Sequence, residues 1–111
     1  MIGPKVPKVR SEPYRRYVAS LPCYRCGIHG YSQAAHADEG KGIKTDDMTC
    51  YPLCGARIGE IGCHEFVGRM MTRDFRRGFE IGGAGWAQNE LIRQSQEDKK
   101  LRELLMKLGI L

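Results

Sequence analysis

The cysteines constrain this chain more than any other feature. Five cysteines occur in 111 residues, which is about one small domain. Such a chain buries a smaller share of its surface than a large domain does, and Rossmann and TIM-barrel scaffolds are excluded by length. The sequence predicts neither a signal peptide nor a membrane span, because it has no long apolar run. We therefore expect a cytoplasmic protein, in which disulfides are rare and cysteines indicate a bound metal.

The cysteine spacing predicts a structural zinc site. Cys23 and Cys26 form a C-x2-C half-site, and Cys54 and Cys63 are the expected second half. Cys63 is favoured because it starts a predicted helix, where thiolate charge is stabilised. Cys50 is the alternative to Cys63, although it lies within a predicted strand, where a buried free thiol is common. Thiol redox chemistry at Cys23 and Cys26 is a weaker alternative, because the expected βαβ context is missing.

The residue pattern predicts short helices and strands. Ser11 is a suitable N-cap, and Pro13 fits the first turn of the helix that follows. Met70 and Met71 are expected to fill the core from one face of a later helix. The predicted elements are, in chain order, a helix over 12–20, strands over 32–36 and 49–53, a helix from about 63 to 76, a glycine break at 82–85 and one or two helices over 86–108.

Positive charge is concentrated near the N-terminus. The formal net charge is +5, and residues 1–25 alone hold six basic residues against one acidic residue. A basic arm of this kind suits contact with phosphate, and a solvated tail explains it equally well. Further candidates for phosphate contact lie in a polar loop and along a predicted helix face: Lys41, Lys44, Arg69, Arg73 and Arg76.

Two histidines are candidates for catalysis. His36 ends the first predicted strand, and His64 directly follows Cys63. A zinc ion that joins Cys26 to Cys63 is expected to bring His36 and His64 close together. Phosphodiester hydrolysis needs a base for water and a cation on the phosphate, and two imidazoles are suited to these tasks.

The order of these motifs resembles the zinc-stabilised HNH endonucleases, most closely the small HNH-like proteins of phages and prophages. The resemblance covers roughly residues 11–75. It implies an α+β fold of the ββα-metal type with flanking helices, and low-specificity hydrolysis of DNA with one divalent ion such as Mg²⁺ or Mn²⁺. The segments that carry it are Ser20–Cys23 with Cys26, Ser32–His36, Gly40–Gly42, Asp47, Tyr51–Cys54 and Gly62–His64.

The resemblance also implies a role for individual residues. His36 corresponds to the general base, His64 to a ligand of the catalytic metal, and Asp47 to the asparagine that stabilises the family's loop. Ala35 and Gly68 stand where many members have further metal ligands. The substitutes that the sequence offers are Asp38, Glu39 and Glu65.

These observations define the expected organisation and function. We expect a basic arm over 1–11, an HNH domain over 12–80 and a helical extension over 81–111. The expected function is a metal-dependent DNA endonuclease in a bacterial host cell; the alternative is a non-catalytic zinc module that binds nucleic acid or protein. The sequence does not decide whether the protein forms a homodimer. The last leucines are expected to pack within their own chain: Leu101, Leu104, Leu105 and Leu108.

Overall fold

A computed structural model describes residues 9–36 and 46–111. It is an α+β fold in which four helices surround a two-stranded antiparallel sheet, in agreement with the predicted class. No helix in the described ranges is long and apolar enough to cross a membrane. The elements are α1 (Glu12–Ala19), β1 (Ser32–His36), a 3-10 turn (Asp47–Thr49), β2 (Cys50–Cys54), α2 (Cys63–Met70), α3 (Arg73–Gln94) and α4 (Lys99–Lys107).

The first helix and the hairpin follow the sequence prediction closely. The Ser11 hydroxyl accepts a hydrogen bond from the Tyr14 amide at 3.2 Å, and a proline occupies the first turn. In the hairpin, Ser32 pairs with Cys54 and His36 pairs with Cys50. The second strand is one residue later than predicted. This register places His36 at the end of β1 and Cys54 at the end of β2.

The predicted glycine break at 82–85 is wrong, because α3 runs through it without interruption. The reason lies in the packing of α3 on β2. A Cβ atom at Gly83 would lie 2.7 Å from Cδ2 of Tyr51, so the glycine allows the helix backbone to approach the strand. The buried residues of α3 recur at the helical period and are Glu80, Gly83, Ala87 and Leu91.

The helix that begins at Cys63 is shorter than predicted. Met71 has an extended backbone, and the Thr72 hydroxyl accepts from the Phe75 amide at 3.4 Å to begin a new helix, α3. Met70 is 66% exposed and Phe75 is 65% exposed. The prediction that Met70 fills the core is therefore wrong, whereas Met71 packs against the core.

The C-terminal helix completes the core. Leu101 and Leu105 are fully buried, and Leu104 and Leu108 pack against the same cluster. The prediction of packing within the chain is confirmed. The expected boundary between residues 80 and 81 falls inside α3, so this helix belongs to both of the expected regions.

Candidate metal centre

Four cysteines converge at one end of the sheet. The sulfur atoms of Cys23, Cys26, Cys54 and Cys63 all lie within 4.8 Å of one another. A tetrahedral zinc–thiolate site, with zinc–sulfur bonds near 2.3 Å, separates its sulfurs by roughly 3.8 Å, and the Cys26 and Cys54 sulfurs are 3.8 Å apart. This cluster could hold a structural metal such as zinc. Cys63 rather than Cys50 is its fourth member, as predicted.

Local backbone structure brings the four sulfurs together. Cys23 and Cys26 lie in a turn closed by the Cys23 amide, which donates to the Ile28 carbonyl at 2.9 Å. The Cys26 amide donates to the Cys23 sulfur at 3.5 Å, and the Cys63 amide donates to the Cys54 sulfur at 3.2 Å. Amides directed at sulfur in this way stabilise thiolates, which are the form that binds metal.

Burial and neighbouring charges shift the pKa values of the cluster cysteines in opposite directions. Burial raises the pKa of Cys63 to about 12. Burial acts the same way on Cys54, but the Cys63 amide and the Arg57 side chain outweigh it and lower the Cys54 pKa to about 6. The Arg25 guanidinium donates to the Cys63 sulfur at 3.5 Å and lies over the Phe66 ring. Four thiolates with one Zn²⁺ carry a charge of about −2, and these two arginines offset it.

A buried aspartate orients His36. An Oδ1 atom of Asp47 lies 2.8 Å from Nε2 of His36, and Oδ2 accepts from the Ser11 amide at 2.6 Å. Arg15 Nε lies 3.4 Å from the same Oδ2. Burial raises the pKa of Asp47, but these partners, His36 first, outweigh it and hold the pKa below its usual value. A carboxylate this close to Nε2 fixes the orientation of the ring.

His64 lies beside a small cavity. Its Nδ1 atom is 2.8 Å from the Gln33 Oε1 atom. The cavity has a volume of about 30 Å³, and its wall includes Ala35, Gly68 and Glu80. A space of this size holds one or two water molecules.

The two histidines have different surroundings. Successive residues of a strand point to opposite faces of a sheet, so His36 and Ala35 project in opposite directions. Ala35 shares the cavity with His64, whereas His36 clusters with Asp47 and Cys50. The two imidazoles therefore have different immediate neighbours.

The other predicted residues divide into two groups. Arg69 and Arg73 are exposed but lie on different helices, so the predicted common face is wrong. Arg69 pairs with Glu65 at 2.9 Å. The polar-loop candidates lie outside the described residues: Asp38, Glu39, Lys41 and Lys44.

The burial of Glu80 was not predicted from the sequence. Its spacing from Gly83, Ala87 and Leu91 places it on the buried face of α3, but that periodicity is visible only if the glycines are allowed inside a helix.

No family model, curated protein or solved structure matches the chain. Its function is therefore inferred from its own residues.

Proposed function

We propose that this protein is a zinc-stabilised, metal-dependent DNA endonuclease of the HNH type. The observation that carries this proposal is the placement of residues 35 and 36 at the end of β1. In many members of the family, a metal ligand directly precedes the general base, so the two side chains leave the strand on opposite faces. Here Ala35 borders the cavity beside His64, and His36 is held by Asp47 on the other face.

The proposed chemistry requires His36 and His64 to act on one phosphate group, at the end of β1. Asp47 orients the His36 ring, and His36 acts as the general base that takes a proton from the attacking water. His64 binds the divalent ion, which would neutralise charge on the phosphate and on the leaving oxygen. Arg69 and Arg73 are exposed and suited to contact phosphates, which gives affinity without sequence information. The cysteine cluster holds the hairpin against α2.

A plasmid-nicking assay with Mg²⁺ or Mn²⁺ tests the proposal. We expect His36→Ala to lower the cleavage rate by about 10²- to 10⁴-fold, because the substitution removes the proposed general base. His29→Ala is the matched control, since His29 is exposed in the turn after the cysteine pair. Both variants should retain zinc and an unchanged circular dichroism spectrum. Cleavage by His36→Ala at the wild-type rate would show that His36 is not the base.

A non-catalytic zinc module that binds nucleic acid is the second candidate. It is favoured by Ala35 and Gly68, which offer no metal ligand at the family's positions. This candidate predicts DNA binding that weakens steeply with salt and no cleavage with any divalent ion. The same nicking assay, run beside a gel-shift titration in salt, separates the two candidates.

A further inference from the structure

Three side chains of metal-binding types meet near the start of α1. His36 and Cys50 are directly opposite in the antiparallel register, and residues paired in this way project from the same face of a sheet. Asp47 begins the 3-10 turn that leads into Cys50 and β2. The ring nitrogen, carboxylate oxygen and sulfur of the three residues all lie within 4.8 Å of one another. This group shares no residue with the four-cysteine cluster, which uses Cys54 at the other end of β2.

The spacing of these three atoms suits a zinc ion. Zinc bonds are about 2.0 Å long to nitrogen and oxygen and about 2.3 Å long to sulfur, so a tetrahedral ion separates such atoms by roughly 3.3–3.5 Å. Nε2 of His36 and Oδ1 of Asp47 are 2.8 Å apart, and no pair in the group exceeds 4.8 Å. Shifts of about 1 Å therefore bring all three atoms to bonding distance of one ion.

Burial and charge also favour an ion between these residues. Asp47 and Cys50 are fully buried, and one carboxylate with one thiolate balances the charge of Zn²⁺, so the buried group stays neutral. The Ser11 amide and Arg15 contact the Oδ2 atom of Asp47 and leave Oδ1 directed at His36; hydrogen bonds of this kind orient a carboxylate that binds metal. Arg15 is 44% exposed, so solvent screens its charge.

A buried hydroxyl group indicates a fourth position beside Cys50. Tyr14 is fully buried, and its hydroxyl has no hydrogen-bond partner among the residues that the structure describes. An unpaired buried hydroxyl costs free energy. Burial and then the charge of Cys50 raise the pKa of Tyr14, which places the hydroxyl within electrostatic range of the sulfur. A water molecule on a zinc ion would give this hydroxyl the partner that it lacks.

We propose that His36, Asp47 and Cys50 form a second metal site, which binds Zn²⁺ with water as the fourth ligand. Imidazole, carboxylate and thiolate are the ligand types that zinc takes in proteins, and three protein ligands with one water is a common zinc arrangement. Mg²⁺ prefers oxygen ligands and does not compete for a thiolate. The Cys50 thiol releases its proton to solvent when it binds, and the 15% exposed side chain of His36 gives the ion a route from solvent.

Occupancy of this site has a consequence for catalysis, which rests on the proposed nuclease function. A zinc ion on His36 uses the lone pair with which the proposed general base accepts a proton. The second site would therefore act as an inhibitory site: zinc in excess of the four-cysteine cluster would stop DNA cleavage, and its removal would restore it.

Cobalt binding tests the second site without using activity. The full-length protein, with zinc in the four-cysteine cluster, is titrated with Co²⁺, and the absorption band from sulfur-to-cobalt charge transfer is recorded. We expect a band in the wild type that Cys50→Ala lacks, and Co²⁺ binding that is at least tenfold weaker in His36→Ala. His29→Ala is the matched control, because His29 is exposed in the turn after the cysteine pair; it should bind Co²⁺ as the wild type does. No band in the wild type, or an equal band in Cys50→Ala from exchange into the cluster, would overturn the proposal.

A measurement on the wild-type protein covers the case in which Cys50→Ala does not fold. Bound Co²⁺ should broaden the amide resonances of Ser11 and Asp47, which lie at the second site. The amide of Gly55, which follows Cys54 beside the cluster, should be affected much less. Broadening at Gly55 without broadening at Ser11 would show that cobalt enters the cluster and that the second site does not exist.

The nicking assay with Mg²⁺ then tests the inhibition. We expect Zn²⁺ beyond one equivalent per chain to lower the wild-type rate at least tenfold as the second site fills. The proposals fail in different ways. A second bound ion in a protein that never cleaves DNA refutes the nuclease and keeps the metal site. Cleavage that is unchanged or faster when the second site is full refutes the inhibition by way of His36, and cleavage by a protein that binds no second ion refutes the metal site alone.

Discussion

Asp47 joins parts of the chain that are far apart in sequence. Its two carboxylate oxygens contact the His36 ring, the Ser11 amide and the Arg15 side chain. Ser11 is also the N-cap of α1, so the same carboxylate fixes the start of that helix and the orientation of His36. The fully buried Asp47 carboxylate thereby connects His36 to the first helix of the fold.

We expect Asp47→Asn to lower the free energy of unfolding by about 3 kcal/mol. The substitution removes the negative charge that the His36 ring and the Ser11 amide contact. The pKa of Asp47 is lowered in the folded protein. Its contribution to stability is therefore complete above the unfolded-state value of about 4 and is lost as the pH falls through the lower, folded value. The difference between wild type and variant should narrow below about pH 4.

Urea denaturation of both proteins at pH 6, 4 and 3 measures this difference. Loss of a bound metal at low pH affects both proteins and largely cancels in the comparison. Asp74→Asn is the control, because Asp74 is exposed in the first turn of α3; we expect it to change stability by less than about 1 kcal/mol. A gap between wild type and Asp47→Asn that is the same at every pH would contradict the assigned role.

The convergence of the four cysteines was predictable from the sequence, but the buried polar partners of the histidines were not. The spacing of Cys23, Cys26, Cys54 and Cys63 predicted the cluster that the structure forms. Asp47 was expected to stabilise the loop; its contact with His36 was not foreseen. Such contacts depend on three-dimensional packing between residues far apart in sequence, which no local pattern encodes.

At the scale of the elements, α3 organises the molecule. It packs on β2 through Gly83 and reaches the 3-10 turn through Gln88, whose side-chain amide donates to the Met48 carbonyl at 2.9 Å. It also carries Glu80 to the cavity. The position of this one helix therefore sets both the packing of the sheet and one wall of the cavity beside His64.

We expect Gly83→Ala to destabilise the protein by about 1–3 kcal/mol, because the new methyl group would overlap the Tyr51 ring. Gly85→Ala is the matched control. Nothing lies within 4 Å of a Cβ atom at Gly85, so alanine should stabilise α3 by about 1 kcal/mol through its higher helix propensity. Chemical denaturation of the two variants measures both effects; a stabilised Gly83→Ala would refute the close approach of helix and strand.

The glycines also explain which elements the sequence could predict. Helix α1 was predictable because Ser11 and Pro13 are local start signals. The glycines at 82–85 favour a break on local propensity, and tertiary packing overrides that propensity because only glycine fits against Tyr51. The same override hid the helical spacing that places Glu80 on the buried face.

At the scale of the whole molecule, a metal ion held by the cysteine cluster would compensate for a small core. The cluster connects the turn after α1 with the end of β2 and the start of α2. Binding of a structural zinc ion contributes about 10 kcal/mol or more to folding, comparable to the whole stability of a domain. The fold is therefore expected to depend on the metal.

We expect Cys23→Ser to lose stoichiometric zinc and to unfold, since it removes one of four thiolate ligands. Cys50→Ala is the control, because Cys50 lies in β2 outside the four-sulfur cluster; this variant should keep one zinc ion per chain. Metal analysis by mass spectrometry, together with circular dichroism, measures both outcomes. A folded Cys23→Ser protein without zinc would show that the cluster is not a structural metal site.

The separation along the chain between the cysteine cluster and Glu80 has a consequence for synthesis. The last cluster cysteine is Cys63, and Glu80 follows 17 residues later, a delay of roughly one to three seconds at ordinary rates of translation. Helix α3 must also emerge completely before it can pack on β2. A nascent chain would therefore present all four cysteines of the cluster before it completed the cavity, and β2 would gain its cover from α3 only after the ribosome had made most of the protein.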